Sequence, residues 1–169
     1  FGRARGGKLM SALRMQPRAD LRFELLADVS NQDPERYFGT PTVDGQIVRG
    51  LRRANYNAED SILSIRDQRL RGRAQWQVND WLTVRNELYR FKAERHWKNI
   101  EGYRYQPGTN TIDRFDYLEI GHDLAQTGNR LESSIAAGAH TVALGWEISR
   151  ARYGYRGNSP YRGDPALSA

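Results

Sequence analysis

Leu21-Arg22-Phe23-Glu24-Leu25-Leu26-Ala27-Asp28-Val29 is the stretch whose reading decides the fold. Leu21, Phe23, Leu25, Ala27 and Val29 point one way, and Arg22, Glu24 and Asp28 point the other, with Leu26 the exception. Alternation of period two over nine residues predicts a strand with one apolar and one polar face. A helix would scatter Arg22 and Glu24 among the apolar positions. Residues 9–15 precede this strand across the turn Gln16-Pro17-Arg18-Ala19-Asp20, so the two segments read as a hairpin.

The hairpin recurs twice. Residues 70–77 and 81–91 flank Val78-Asn79-Asp80, and residues 131–136 and 140–150 flank Ala137-Gly138-Ala139. Leu70, Gly72, Ala74, Trp76 and Val78 alternate with Arg69, Arg71, Arg73 and Gln75. Leu82, Val84 and Leu88 alternate with Thr83, Arg85 and Glu87, and Asn86 interrupts the apolar face. Val142, Leu144, Trp146 and Ile148 alternate with Ala143, Gly145, Glu147 and Ser149. Between residues 115 and 137 the phase slips from even (Leu118, Ile120, Leu124) to odd (Leu131, Ser133, Ile135), which predicts either a bulge near residues 126–129 or a strand that extends above the membrane, where the phase is less constrained. Residues 30–63, 97–114 and 155–169 are rich in turn formers and read as long loops.

Short turns at one end and long loops at the other are the layout of a transmembrane β-barrel. The expectation is an all-β, antiparallel, up-and-down barrel segment of about six strands, with short periplasmic turns and long extracellular loops. Composition alone points elsewhere. The 169 residues carry a formal net charge of +6, almost all the positive charge is arginine, and 38% of the residues are hydrophobic. A basic balance suggests nucleic acid or an anionic membrane as partner. No run of about 18 apolar residues marks a transmembrane helix, a test that barrel strands escape. With no cysteine, a disulfide framework and a cysteine zinc site are excluded.

Several segments, in order along nearly the whole chain, resemble the barrel domain of TonB-dependent siderophore receptors of the Gram-negative outer membrane. They are Tyr37-Phe38-Gly39-Thr40-Pro41 with Asp44-Gly45, Leu51-Arg52-Arg53 with Asn55-Tyr56-Asn57, and Asp80-Trp81-Leu82-Thr83-Val84-Arg85-Asn86. Residues 89–97, Gly121-His122-Asp123, Gly128-Asn129-Arg130-Leu131 and Asn158-Ser159-Pro160-Tyr161 complete the likeness. The resemblance implies a barrel of about 22 strands with a plugged lumen. On that footing residues 1–169 are an internal piece of the barrel, without the plug domain.

The resemblance further implies that the whole protein binds a ferric siderophore outside the cell and admits it with energy from the TonB-ExbB-ExbD complex, acting through the plug. Outer-membrane lipid and lipopolysaccharide would surround it, and nucleic acid would not be a partner. Iron would arrive already chelated, so no cofactor or protein metal ligand is implied. The candidate ligand residues are Tyr37, Phe38, Tyr56, Trp97, Tyr103 and Tyr105, with Arg52, Arg53 and Arg104, because aromatic rings and guanidinium groups suit a partly apolar, often anionic chelate.

The charged and aromatic residues also read without the family. Arg66, Arg69, Arg71 and Arg73 read as a basic ladder, which suits either single-stranded nucleic acid or a polar lumen where arginines pair with carboxylates of neighbouring strands. The alternation of apolar faces opposite them favours the lumen. Trp76 and Trp81 read as an interfacial girdle, Tyr89, Phe91 and Trp97 lie near the other end of that hairpin where a second girdle would fall, and Trp146 reads as a mid-strand lipid contact. His96, His122 and His140 lack the spacing of a metal site, and no Ser-His pair or cysteine supports nucleophilic catalysis. The alternatives are a passive porin-type channel and a soluble basic β-domain that binds nucleic acid.

Overall fold

The computed structural model describes residues 4–35, 39–157 and 166–168. In chain order it contains β1 (Ala4–Arg18), β2 (Leu21–Pro34), β3 (Thr42–Val43), β4 (Gln46–Ile47), a 3-10 turn (Arg49–Leu51), β5 (Ile62–Gln77), β6 (Leu82–Gln106), β7 (Thr111–Ala137), β8 (His140–Gly157) and β9 (Ala166–Ser168). One antiparallel meander, β1-β2-β5-β6-β7-β8, makes up most of the molecule, and β9 pairs with the start of β7. All-β, antiparallel and six long strands in three hairpins is therefore the architecture. The sheet does not close among the described residues: β1 pairs only with β2, and β8 only with β7.

All three hairpin turns lie at one end of the sheet, and each has a local cause. Gly138 supplies φ +61 at the first central position between the paired Ala137 and His140, as a two-residue II′-type turn needs. The Asn79 side chain accepts hydrogen bonds from the backbone N–H groups of Trp81 (3.1 Å) and Leu82 (2.8 Å). In the first turn Arg18 binds the Asp20 carboxylate (Nε to Oδ1, 2.9 Å), and the Trp76 indole of the next hairpin donates to the same carboxylate at 3.1 Å. The Arg18 hydrogen bond holds the Asp20 carboxyl down to about 2 from its ordinary 3.8. Its stabilisation is thus present above about 3.8 and is lost as the pH falls through about 2.

At the other end the connections differ from expectation. Residues 97–114 are not a loop. They are the tip of a paired hairpin, in register from Trp97↔Ile120 to Gln106↔Thr111 and closed by a turn at residues 107–110. Strand β2 runs on to Pro34, and β8 reaches Gly157. The connector between β2 and β5 carries a miniature hairpin, β3–β4, closed by Asp44 (φ 51) and Gly45 (φ +74). Two positive φ values in succession are the I′ pattern that Asp-Gly favours.

The bulge expected at residues 126–129 is absent. The β6–β7 register holds from Leu82↔Ile135 to Ile100↔Tyr117, and the β7–β8 register from Ala137↔His140 to Ile120↔Gly157. The nearest irregularity is higher, at Asp116 (φ 55), where pairing with Glu101 is interrupted. The phase slip has another origin: the apolar residues change faces part-way along the strands.

Register joins one face across the whole sheet. Met15, Phe23, Ala74, Asn86, Leu131 and Trp146 are successive partners across the six strands. Near the hairpin turns this face carries Leu9, Leu13, Leu25, Leu70, Leu88, Leu144 and Ile148, all exposed. Asn86, which interrupts it, is matched by Asn129 on β7: each side-chain amide donates to the other's oxygen, at 3.2 and 3.0 Å. The opposite face is concave, because a single cleft of about 770 Å³ is lined by Met10 of β1 and Glu147 of β8 together with residues of every strand between.

Two substitutions test this account of the turns and strands. Gly138→Val places a β-branched residue at φ +61 and is expected to cost about 1–2 kcal/mol. Gly7→Val, a strand position with open space around its Cα, is expected to leave stability nearly unchanged. The midpoint of urea unfolding measures both.

Candidate functional site

The concave face is built in two tiers. The lower tier is a chain of charges crossing the sheet. Glu24 on β2 accepts from Arg14 on β1 (2.7 Å) and lies 3.4 Å from Arg73 on β5, and Arg73 also binds Glu87 on β6. Arg130 on β7 then pairs with Glu147 on β8 at 2.8 Å, and the Tyr89 hydroxyl donates to the same carboxylate at 2.7 Å. Period-two alternation puts these residues on one side, and register sets opposite charges beside one another. The Tyr89 ring lies over Gly128, its partner on β7, so a side chain there would displace it.

The upper tier is aromatic. Tyr153 and His122, on β8 and β7, share a hydrogen bond of 2.7 Å, and the His122 ring stands 5.1 Å from the Tyr155 ring in an edge-on arrangement. Arg69 lies over the Phe91 ring, 5.1 Å from its centroid. Leu124, Ile120 and Trp97 share this face by register. Among the described residues, every cleft carboxylate is paired: Asp28 with Lys8 (3.5 Å), Glu87 with Arg73, and Glu147 with Arg130. Among the described residues Arg69 and Arg71 have no carboxylate within 4 Å, so the cleft presents two surplus cations beside aromatic rings.

The sequence candidates fall in different places. Tyr37 and Phe38 lie outside the described residues. Tyr56 is fully buried and donates its hydroxyl to the Leu51 carbonyl at 3.0 Å. It forms a small core with Leu51 and Ile112, against which Tyr103 and Tyr105 pack. Tyr103 in turn donates to the Gly39 carbonyl at 2.5 Å. Tyr56, Tyr103 and Tyr105 are thus brought together where the connector packs on the β6–β7 tip, and Tyr103, Tyr105 and Ile112 place it on the concave side. Asn57 locks it by accepting from the Ile100 N–H at 3.1 Å.

Arg52 and Arg53 are exposed on that connector. Trp97 is half-buried on the concave face, whereas Arg104 is exposed on the opposite one. Tyr89, Phe91 and Trp97 all face inward, which removes them from any lipid-facing girdle. Arg66 is on the opposite face from Arg69, Arg71 and Arg73, since its number has the other parity, and so leaves the basic ladder. His122, Tyr153, Tyr155, Phe91, Arg69 and Arg71 were missed as a group. The signal that could have found them is the phase slip, read as a change of face rather than as a bulge.

Comparison with protein-family models, with curated proteins and with solved structures finds no match to this chain. The geometry therefore stands on its own. Among the described residues no helix is long and apolar enough to cross a membrane, and no group of three or more His, Asp or Glu side chains is placed to hold a metal ion.

The assignment of Tyr56 to the connector's core, rather than to ligand contact, has a local readout. Tyr56→Ala is expected to cost about 3–5 kcal/mol within the connector, as for other large aromatic truncations in a core. Hydrogen exchange should quicken at the Ile100 amide and residues 48–58 and stay unchanged at residues 82–90. Tyr56→Phe, which removes the hydroxyl bonded to the Leu51 carbonyl, should shift exchange by about 1 kcal/mol.

Proposed function

We propose that this sheet is an arc of a transmembrane β-barrel in the Gram-negative outer membrane, of the kind that carries ferric siderophores inward under TonB control. One observation carries the reading. The convex face is apolar and exposed from β1 to β8, while the face behind it is an ion-paired network. A soluble sheet of this length would cover such a surface with helices or a second sheet. Lipid covers it at no cost in unsatisfied polar groups, and the Asn86–Asn129 pair satisfies the amides that interrupt it.

Dimensions support the same reading. The band runs from Leu21 to Val29 on β2 and from His140 to Ile148 on β8. Nine residues at about 3.3 Å each, tilted by about 40°, span roughly 20–25 Å, close to the apolar belt of such barrels. Trp76 and Trp81 stand at the turn-side border, where indoles favour the interface. The open edges of β1 and β8 would pair with further strands of the barrel. The turns then lie on the periplasmic side, and the β6–β7 tip and the connector lie outside.

The inward aromatic tier and the surplus arginines support a receptor rather than a passive channel. Arg69 and Arg71 would attract an anionic chelate, and Phe91, His122, Tyr153 and Tyr155 would hold its apolar parts. Nothing in the cleft is arranged for catalysis on this reading.

Two experiments test it. Leu144→Arg, on the convex face, is expected to cost about 2–4 kcal/mol at mid-membrane and to abolish recovery from outer membranes, whereas Ala143→Arg, one residue away on the concave face, should insert normally. Uptake of ferric siderophores by iron-starved cells should require the protein and stop when a protonophore collapses the proton-motive force. Uptake that persists under the protonophore would instead indicate a passive channel.

A further inference from the structure

The upper tier of the concave face holds two metal donors that stand apart from the charge network. His122 Nδ1 and the Tyr153 hydroxyl are 2.7 Å apart. Register sets Tyr155 opposite His122 and Tyr153 opposite Leu124, so His122 and Tyr153 meet diagonally between β7 and β8. Among the described residues the Tyr153 hydroxyl is the one hydrogen-bond partner of His122.

The neighbouring groups leave room over the pair. Arg95, opposite His122 on β6, is drawn toward β5, where its guanidinium donates to the Asp67 carboxylate at 2.7 Å and to the Arg66 carbonyl at 3.1 Å. The Tyr155 hydroxyl is directed at Gly157, where a Cβ would collide with it. Ala93, Leu124 and Ala151 on the adjoining positions of this face bring no charge. Tyr153 itself is exposed, and His122 is half-buried.

Donor atoms about 2.0–2.1 Å from one metal ion and at right angles stand about 2.9 Å apart, close to the separation of this pair. The donors also suit ferric iron: a tyrosine oxygen ligates it in some haem proteins, and imidazole is a common iron ligand. A neutral His122 protonated at Nε2 accepts from Tyr153 with the same Nδ1 lone pair that a metal would take.

We infer that His122 and Tyr153 are direct ligands to ferric iron, completing the coordination of a chelate that brings only four donors. The inference rests on the receptor reading of the concave face. It departs from a cargo that arrives fully chelated and takes no ligand from the protein. Two donors do not hold a bare ion, but they fill the two adjacent positions that a tetradentate chelate leaves to water on octahedral iron. On binding, two waters leave the metal, and Nδ1 and the phenolate oxygen replace them. The Tyr153 hydroxyl proton passes to solvent, and the iron stays ferric.

The surplus cations select among such chelates. The Arg69 guanidinium over Phe91 is on the order of 10 Å from the pair, two strands across and one level down. Two catecholates leave ferric iron with one net negative charge, and two hydroxamates leave it with one net positive charge. Arg69 and Arg71 therefore favour the bis-catecholate.

The test uses the native protein extracted from outer membranes in mild detergent, beside Tyr153→Phe and His122→Gln. The probes are the ferric complexes of a linear bis(catecholamide) and of a hexadentate tris(catecholamide), whose iron has no open position. Affinity is read by quenching of tryptophan fluorescence. Resonance Raman spectra of protein carrying ring-deuterated tyrosine separate iron-bound tyrosinate from catecholate. The native protein with the bis complex should show deuterium-shifted tyrosinate bands, absent with the tris complex and absent in Tyr153→Phe. Losing an outer-shell partner of a metal ligand already costs about 10- to 100-fold in affinity. Each variant should therefore lose at least about 10-fold more affinity for the bis complex than for the tris complex. Should a variant lose its heat-dependent gel shift, the bands of the native protein alone carry the test.

Bound bis complex without tyrosinate bands overturns the inference, as do equal losses for the two complexes in both variants. So does a native protein that takes only the tris complex. In each of these cases a ferric chelate is still bound, and the receptor reading stands. A native protein that binds neither complex also overturns the inference, and uptake of other ferric chelates by iron-starved cells then decides the receptor reading separately.

Discussion

Antiparallel register is the constraint on which the rest of the structure depends. From β1 to β8 the strands are paired with a single shift, between Met15 and Arg18 beside the first turn. Side chains alternate with period two, so a one-residue slip in any strand would carry its leucines to the concave face and its charges to the convex one. Glu24 would lose both arginines, and Leu25 would enter the ionic network. The hairpin turns enforce that register locally, and the charge chain from Arg14 to Glu87 enforces it across hairpins.

The same strands serve two environments along their length. Near the turns the convex face is apolar and the concave face ionic. Beyond Ile148, Leu131 and Leu88 the convex face becomes charged, and Leu124, Ile120, Trp97 and Tyr153 turn apolar and aromatic character inward. No backbone irregularity is needed for the exchange, because each face simply changes composition at one level. The connector core of Leu51, Tyr56 and Ile112 belongs to this upper region and packs on its concave side. The exposed Arg52 and Arg53 remain on its surface.

Much of the fold was legible because alternation is a local signal. Leu21 to Val29 declared their faces without knowledge of neighbours, and Asn79 and Gly138 marked their turns by chemistry that acts within four residues. The site was less legible, because it depends on which strands meet. Tyr153 lies far in sequence from Phe91, and only the β6–β7–β8 register brings their faces together. Residues 97–114 read as a loop because Gly102, Pro107 and Gly108 resemble loop composition, yet cross-strand pairing holds them, with the Phe115 ring lying over Gly102. Tyr56 attracted a ligand role by residue type, and its burial behind a bond to Leu51 could not be read from type alone.

The central claim is that the convex face meets lipid and the concave face does not. This chain contains no cysteine, so single substitutions along β8 from Val142→Cys to Arg152→Cys can each carry one spin label. Relaxation by oxygen, which concentrates in lipid, and by a water-soluble nickel chelate then reports each side chain's surroundings in the native membrane. The account predicts oxygen-dominated relaxation at 142, 144, 146 and 148, nickel-accessible or occluded labels at 143, 145, 147 and 149, and a switch to nickel at 150 and 152. Equal exposure of odd and even positions to the nickel chelate would contradict it.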